Sequence, residues 1–250
     1  QDFKITPAQL EAAITERTRA LILCSPSNPT GSVYCATELA ALAEVLRRHE
    51  QVTVISDEIY EHINYVGAHA SIASLPDMKE RTVVINGVSK AYAMTGWRIG
   101  FSAAPLALAK AMNKLQGQYT SGPCSVSQMA AVAAFSGPQE CVEEMRQAFL
   151  RRKNLIVDLT RQIPGLEVND PHGAFYLFPK CSSYFGKTDG KHVINSSSDL
   201  ALYLLEEGHV ATVGGDAFGS PECFRMSYAT SDENIVEAIR RIKEALSRLK

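Results

Sequence analysis

Thr82-Val83-Val84-Ile85-Asn86-Gly87-Val88-Ser89-Lys90 is a short apolar run that breaks at a glycine turn and ends on a lysine. Thr82–Ile85 is too short for a helix and rich in β-branched residues, so it reads as a buried strand. The same arrangement occurs twice upstream. Ala20–Cys24 runs into Ser25-Pro26-Ser27-Asn28-Pro29-Thr30-Gly31, and Val52–Ile55 runs into Ser56-Asp57-Glu58. Trp97–Ala103 reads as a fourth strand. Between them, Leu39, Leu42, Ala43 and Leu46 carry a helical period, and Thr6-Pro7-Ala8-Gln9 has the form of a capped helix start. Helices alternating with apolar strands predict an α/β sheet, largely parallel. In such sheets ligands sit beyond the carboxyl ends of the strands. Asn28, Asp57 and Ser89-Lys90 all fall at such ends.

The character changes after Gly137. A long amphipathic helix is expected from Pro138 to about Ile163, stopped by Pro164-Gly165. Strand-like segments follow near 166–169, 173–178, 209–213 and 223–229. Helices follow near 198–207 and from Asp232 onward, with Gly208 read as a helix stop and Thr230-x-x-Glu233 as a capping box. The chain therefore divides into a partial large domain, 1–137, and a smaller α+β C-terminal domain, 138–250, that carries the long interdomain helix.

Composition narrows the classes. Lys and Arg number 25 against 27 Asp and Glu, a net charge of −2. That balance gives no electrostatic reason to expect nucleic acid or an anionic membrane as partner. No apolar run reaches the length of a membrane span. The six cysteines are scattered with no Cys-x-x-Cys pair, which argues for reduced thiols rather than a metal site.

Each candidate residue has a bland reading and a chemical one. Lysine forms Schiff bases only as the neutral amine, so a strand-end Lys90 beside Tyr92 and Arg98 suits carbonyl chemistry; the alternative is a solvated loop lysine. Asp57, directly after a buried strand, needs a partner. That is either a cap or ion pair, or a protonated ring nitrogen. Asn28 suits a turn, and Tyr60 either packs or donates to a phenolic oxygen. Ser89 and Arg98 can bind phosphate, although Arg98 could simply stack on Trp97. Arg225, within Phe224-Arg225-Met226-Ser227-Tyr228, fits a carboxylate bidentately; an internal salt bridge is the alternative.

As an ordered set these motifs resemble the class I/II (fold type I) aminotransferases, which depend on pyridoxal 5′-phosphate. The stretches Asp57-Glu58-Ile59-Tyr60-Glu61-His62-Ile63, Gly87-Val88-Ser89-Lys90-Ala91-Tyr92-Ala93-Met94-Thr95-Gly96-Trp97-Arg98 and Gly173-Ala174-Phe175-Tyr176 are most similar to the bacterial aspartate aminotransferase branch. The resemblance spans the whole chain. Members of that family are longer, so it also implies a large domain incomplete at its N-terminus.

The resemblance implies a reaction: ping-pong transfer of an amino group between an amino acid, aspartate, and a 2-oxo acid, 2-oxoglutarate. It further implies a cytoplasmic homodimer. Lys90 would form the internal aldimine and move the proton. Asp57 would pair with the pyridinium nitrogen, Asn28 and Tyr60 would bond the ring oxygen, and Ser89 and Arg98 would bind the phosphate. Arg225, with Asn28, would receive the substrate α-carboxylate. No metal is implied. A pyridoxal-phosphate lyase and a pyridoxal-phosphate-binding sensor domain of a regulator are the competing readings. One departure is Val213-Gly214-Gly215, where the branch has proline before glycine.

Overall fold

The structure, a computed structural model, describes residues 2–250. They form two compact units. One contains residues up to Ser27 together with Ser32–Arg146; the other contains Asn28–Gly31 and Gln147–Lys250.

In the first unit the elements are α1 (Pro7–Ala13), β1 (Ala20–Cys24), α2 (Ala36–Arg47), β2 (Thr53–Asp57), β3 (Thr82–Gly87), β4 (Gly100–Ala103), α3 (Leu106–Tyr119) and α4 (Ser125–Ser136). The sheet order is β1-β2-β3-β4, parallel throughout except that β4 runs antiparallel to β3. This is the mostly parallel α/β sheet expected from the alternating pattern. The fourth strand starts later than expected, at Gly100, because Thr95–Trp97 is one turn of 3-10 helix. The expected cap of α1 is present: Thr6 accepts from the Gln9 backbone N–H, and the Gln9 side chain accepts from the Thr6 N–H.

The core of this unit lies between the first two helices and strands. Leu10, Leu39, Leu42, Ala43 and Leu46 pack with Leu23, Val52, Val54, Ile72 and Met78. Arg81 closes its lower end. The guanidinium donates to the carbonyls of Leu46 at 2.7 Å, His49 at 2.5 Å and Val52 at 3.1 Å, tying the turn past the end of α2 to the start of β3. The other flank is bare. All four residues of β4 are exposed and α3 buries none of its residues. Helices α3 and α4 have no side-chain cap and bury few residues, so they lack the buried stripe by which the sequence pattern reveals a helix.

Strand alternation decides which groups at the end of β2 face the core. Val54 and Ser56 are buried and Thr53, Ile55 and Asp57 only half-buried, as a period of two requires. Glu58 and Tyr60 continue the buried series at 4% and 3% exposure. Neighbours in sequence, Asp57 and Glu58 thus present to different environments.

The helix α5 (Glu140–Thr160) carries the division between the units, which falls between Arg146 and Gln147. The second unit continues with β5 (Tyr176–Leu177), α6 (Ser197–Gly208), β6 (Val213–Gly214), β7 (Phe224–Ser227) and α7 (Asp232–Ser247). Its sheet is antiparallel, in the order β5-β7-β6. Two cap readings need correction. Ser231, not Thr230, caps α7 by accepting from the Asn234 N–H, because the Thr230 hydroxyl is occupied by the Asn234 side-chain amide at 3.0 Å. Gly208 is the last helical residue of α6, and His209 takes the left-handed cap at φ 53°.

Gly31 needs both its freedom and its smallness. Its φ is +70°, and a Cβ there would lie 2.3 Å from Pro171 Cβ and 2.9 Å from the Gly173 carbonyl oxygen. Gly31→Ala is expected to cost about 2 kcal/mol or more in chemical denaturation, from left-handed strain plus overpacking; an unchanged midpoint would refute the close approach. The thiols give a second check. Burial pushes Cys181 up to about 12 and Cys223 up to about 11, whereas backbone N–H groups of Ser127 and Val126 lower the exposed Cys124 thiol. Disulfide reagents at mildly alkaline pH should therefore modify Cys124 in the folded protein and reach Cys181 and Cys223 only on unfolding.

Candidate functional site

In the first unit the candidate residues gather at the carboxyl ends of β2 and β3. Asp57 closes β2 and is in register with Cys24 on β1 and Ile85 on β3. Its backbone carbonyl accepts from the Ser25 N–H at 3.1 Å, and its carboxylate Oδ1 accepts from the Ile59 N–H at 3.2 Å. That turn lifts the chain so that Tyr60 packs inward. β3 ends at Gly87, a forced glycine: a Cβ would meet Gly100 Cα at 2.8 Å and the Ile99 carbonyl at 3.0 Å. The chain then turns through Val88–Ala93, with Tyr92 N–H donating to the Val88 carbonyl and Ala93 N–H to that of Lys90. Val88 and Ala91 are buried and anchor the turn, leaving Ser89 and Lys90 half-buried.

This turn brings the Lys90 Nζ to 5.7 Å from the centroid of the Tyr60 ring. The amine and the phenol ring, thirty residues apart in sequence, are thus neighbours at the strand ends. Tyr92, two residues after Lys90, turns away: its hydroxyl donates to Gln139 Oε1 at 2.8 Å. Arg98 follows the 3-10 turn in left-handed conformation at φ 51°, exposed, and donates to the Thr95 carbonyl at 2.9 Å. It lines a cavity of about 850 Å³ with Ile85, Asn86, Phe101 and Met112. Its bond is to its own turn rather than to Ser89 or Lys90, and among the described residues no cation–ring contact joins it to Trp97.

The charges here are uncompensated. Among the described residues Asp57, Lys90 and Arg98 form no ion pair with any side chain of the protein. Glu58, next to Asp57, is the opposite case. Its Oε1 accepts from Ser56 Oγ at 2.8 Å and Ser71 Oγ at 2.6 Å, and its Oε2 lies 2.8 Å from His69 Nε2. Glu58, Glu61 and His69 bring potential ligand atoms within 4.8 Å of one another. Glu58's oxygens are already taken, so the cluster reads as a structural brace. Glu58 was not singled out from sequence; its place two residues after Ser56, on the buried face of a period-two strand, is the signal that could have found it.

In the second unit Arg225, on the central strand β7, donates through Nη1 to Asn28 Oδ1 at 2.7 Å. The internal salt bridge considered for Arg225 is absent: among the described residues no carboxylate lies within ion-pair distance. Its guanidinium carbon instead lies 4.7 Å from the Tyr176 ring centroid and 5.0 Å from that of Phe218. Neither ring was singled out from sequence.

A model of the family described as aminotransferase class I and II matches residues 1–242. The chain belongs to that family. It is 52% identical over 242 residues to an aspartate aminotransferase of Geobacillus stearothermophilus, covering 96% of this chain and 60% of that protein. It is 50% identical over 255 residues to a bifunctional aspartate aminotransferase and glutamate/aspartate-prephenate aminotransferase of Petunia hybrida, covering all of this chain and 53% of that one. The crystal structure of an aspartate aminotransferase from Rhizobium meliloti superposes with a TM-score of 0.94 at 47% identity, over 99% of this chain and 63% of that chain. The chain thus spans between about half and about three-fifths of the relatives' length.

Enzymes of this family depend on pyridoxal 5′-phosphate. The donor set fits that group. An amine matches its aldehyde, a carboxylate without a counter-charge matches its ring cation, and a guanidinium without a carboxylate partner, with a hydroxyl nearby in sequence, matches its phosphate.

The Glu58 brace is testable without any ligand. Glu58→Ala strands two hydroxyls and an imidazole and should lower unfolding free energy by about 2–4 kcal/mol, with Glu58→Gln milder. Equal stability of Glu58→Ala and the parent in denaturant titration would show that the network is not formed.

Proposed function

We propose that the protein from which this chain comes transfers an amino group between an amino acid, aspartate in the first instance, and a 2-oxo acid such as 2-oxoglutarate. The uncompensated charge set of Asp57, Lys90 and Arg98, in a chain of this family, carries the reading. An ammonium and a carboxylate half-buried without counter-charges are costly unless a ligand supplies them.

Pyridoxal 5′-phosphate, when bound, supplies an aldehyde and a protonated ring that accepts electrons from the substrate Cα. Lys90 would hold that aldehyde through its amine, and its Nζ, once displaced by substrate, would take the proton from the substrate Cα. Asp57 would keep the ring nitrogen protonated. Asn28 and Tyr60 would hydrogen-bond the ring oxygen, and Ser89 and Arg98 would bind the phosphate. Arg225 would receive the substrate α-carboxylate on the N–H groups it does not give to Asn28. The Tyr60 ring beside Nζ supports the Lys90 role, since it helps orient the amine within the site.

The same reading takes residues 1–137 as part of the cofactor-binding domain and 138–250 as the small domain with the interdomain helix. Among the described residues no helix is long and apolar enough to cross a membrane. A cytoplasmic homodimer completes the reading and rests on family resemblance.

With the full-length protein, Lys90→Ala should abolish the visible absorbance band formed with pyridoxal 5′-phosphate and lower the turnover rate by about a hundredfold or more. Retention of both band and rate in Lys90→Ala would refute the assignment. Arg225→Leu should raise KM for both the amino acid and the 2-oxo acid by about tenfold or more, since a charged hydrogen-bonding partner is lost.

A further inference from the structure

We propose that Tyr176 and Phe218 are positioning residues for Arg225, fixing the plane in which its guanidinium meets a carboxylate. The inference rests on the reading of Arg225 as the carboxylate-binding group.

Arginine is a long side chain, and an unrestrained one must be ordered each time it binds. Here the ordering is already done. Nη1 is held by Asn28 at 2.7 Å, and the guanidinium carbon lies 4.7 Å from one ring centroid and 5.0 Å from another. One in-plane hydrogen bond and two aromatic contacts restrict both the direction and the tilt of the group. The rings offer no acceptor oxygen from their faces, so the N–H groups not given to Asn28 remain available to an anion.

Both rings are themselves anchored. Tyr176 is buried and begins β5, in register with Ser227, two residues along β7 from Arg225. That diagonal places the two side chains on one face of the sheet, within reach of each other. Behind it Phe175 lies 4.8 Å from Tyr176, and Phe149 stacks on Phe175 at 5.1 Å. Phe218 ends the one-turn helix that follows β6, and its ring meets the fully buried Phe178 edge-on at 5.9 Å. The run Phe149, Phe175, Tyr176, Arg225, Phe218, Phe178 links the cation to the core on both sides. Charge without a carboxylate partner, aromatic surroundings and a neutral amide acceptor make a receptor for an anionic carboxylate rather than a structural ion pair.

The test uses the full-length protein with its cofactor and two readouts. One is steady-state kinetics. The other is the dissociation constant of succinate, a dicarboxylate that cannot react, followed by the absorbance change on binding. Phe218→Leu should raise the succinate dissociation constant and KM by about fivefold to thirtyfold, with kcat within about twofold. Phe218→Tyr should restore both, because the ring face returns. Tyr176→Leu should behave as Phe218→Leu. Unchanged succinate affinity in Phe218→Leu, or a fall in kcat with KM unmoved, would overturn the positioning role while leaving the proposed reaction intact. Unchanged affinity in Arg225→Leu would instead remove the Arg225 assignment itself.

Discussion

At the carboxyl ends of β2 and β3 a carboxylate and an ammonium stand half-buried, with no opposite charge among the described residues within ion-pair distance of either. Charges in that condition are unfavourable in the folded chain taken alone. The contrast with the next residue is instructive. Glu58 has two serine hydroxyls and a histidine on its oxygens, whereas among the described residues the Asp57 carboxylate accepts from the Ile59 backbone N–H and pairs with no cation. The fold provides partners for the carboxylate that faces the core and withholds them from the one that faces the strand ends. That selective omission, more than any single distance, gives the region the character of a binding site.

Arg225 repeats the theme in the second unit by other means. Its charge meets a neutral amide and aromatic rings. A salt bridge would have stabilised the arginine but consumed its hydrogen-bonding fork. Ring contacts restrain it without occupying the N–H groups in its plane. Each unit thus holds a cation that no carboxylate among the described residues pairs with.

Much of the first sheet was legible because short β-branched runs ending in glycine or proline turns have few other interpretations. Lys90 and Tyr60 meet because two strand-end turns are brought side by side, which the motif order implied. Other features had no local signal. Helices α3 and α4 lack the caps and buried stripes by which helices announce themselves, and α3 buries nothing. The left-handed turns at Ala93 and Arg98 fall on residues that rarely adopt that conformation. The aromatic surroundings of Arg225 combine Phe218 on a neighbouring turn with Tyr176 on another strand 49 residues upstream, so only tertiary structure reveals them. Thr230 and Gly208 were misread by a single residue each, the ordinary uncertainty of helix ends.

The alternation at the end of β2 has a consequence for how this stretch can diverge. Side chains along it can be exchanged for others of similar shape, since the backbone ladder is indifferent to their identity. Its length cannot drift. A one-residue insertion or deletion between Val52 and Asp57 would rotate every later side chain to the reverse face, turning Asp57 toward Ser71 and His69 and delivering Glu58 to the strand-end cleft. Substitution is therefore an open route for this strand and frameshift of its register a closed one.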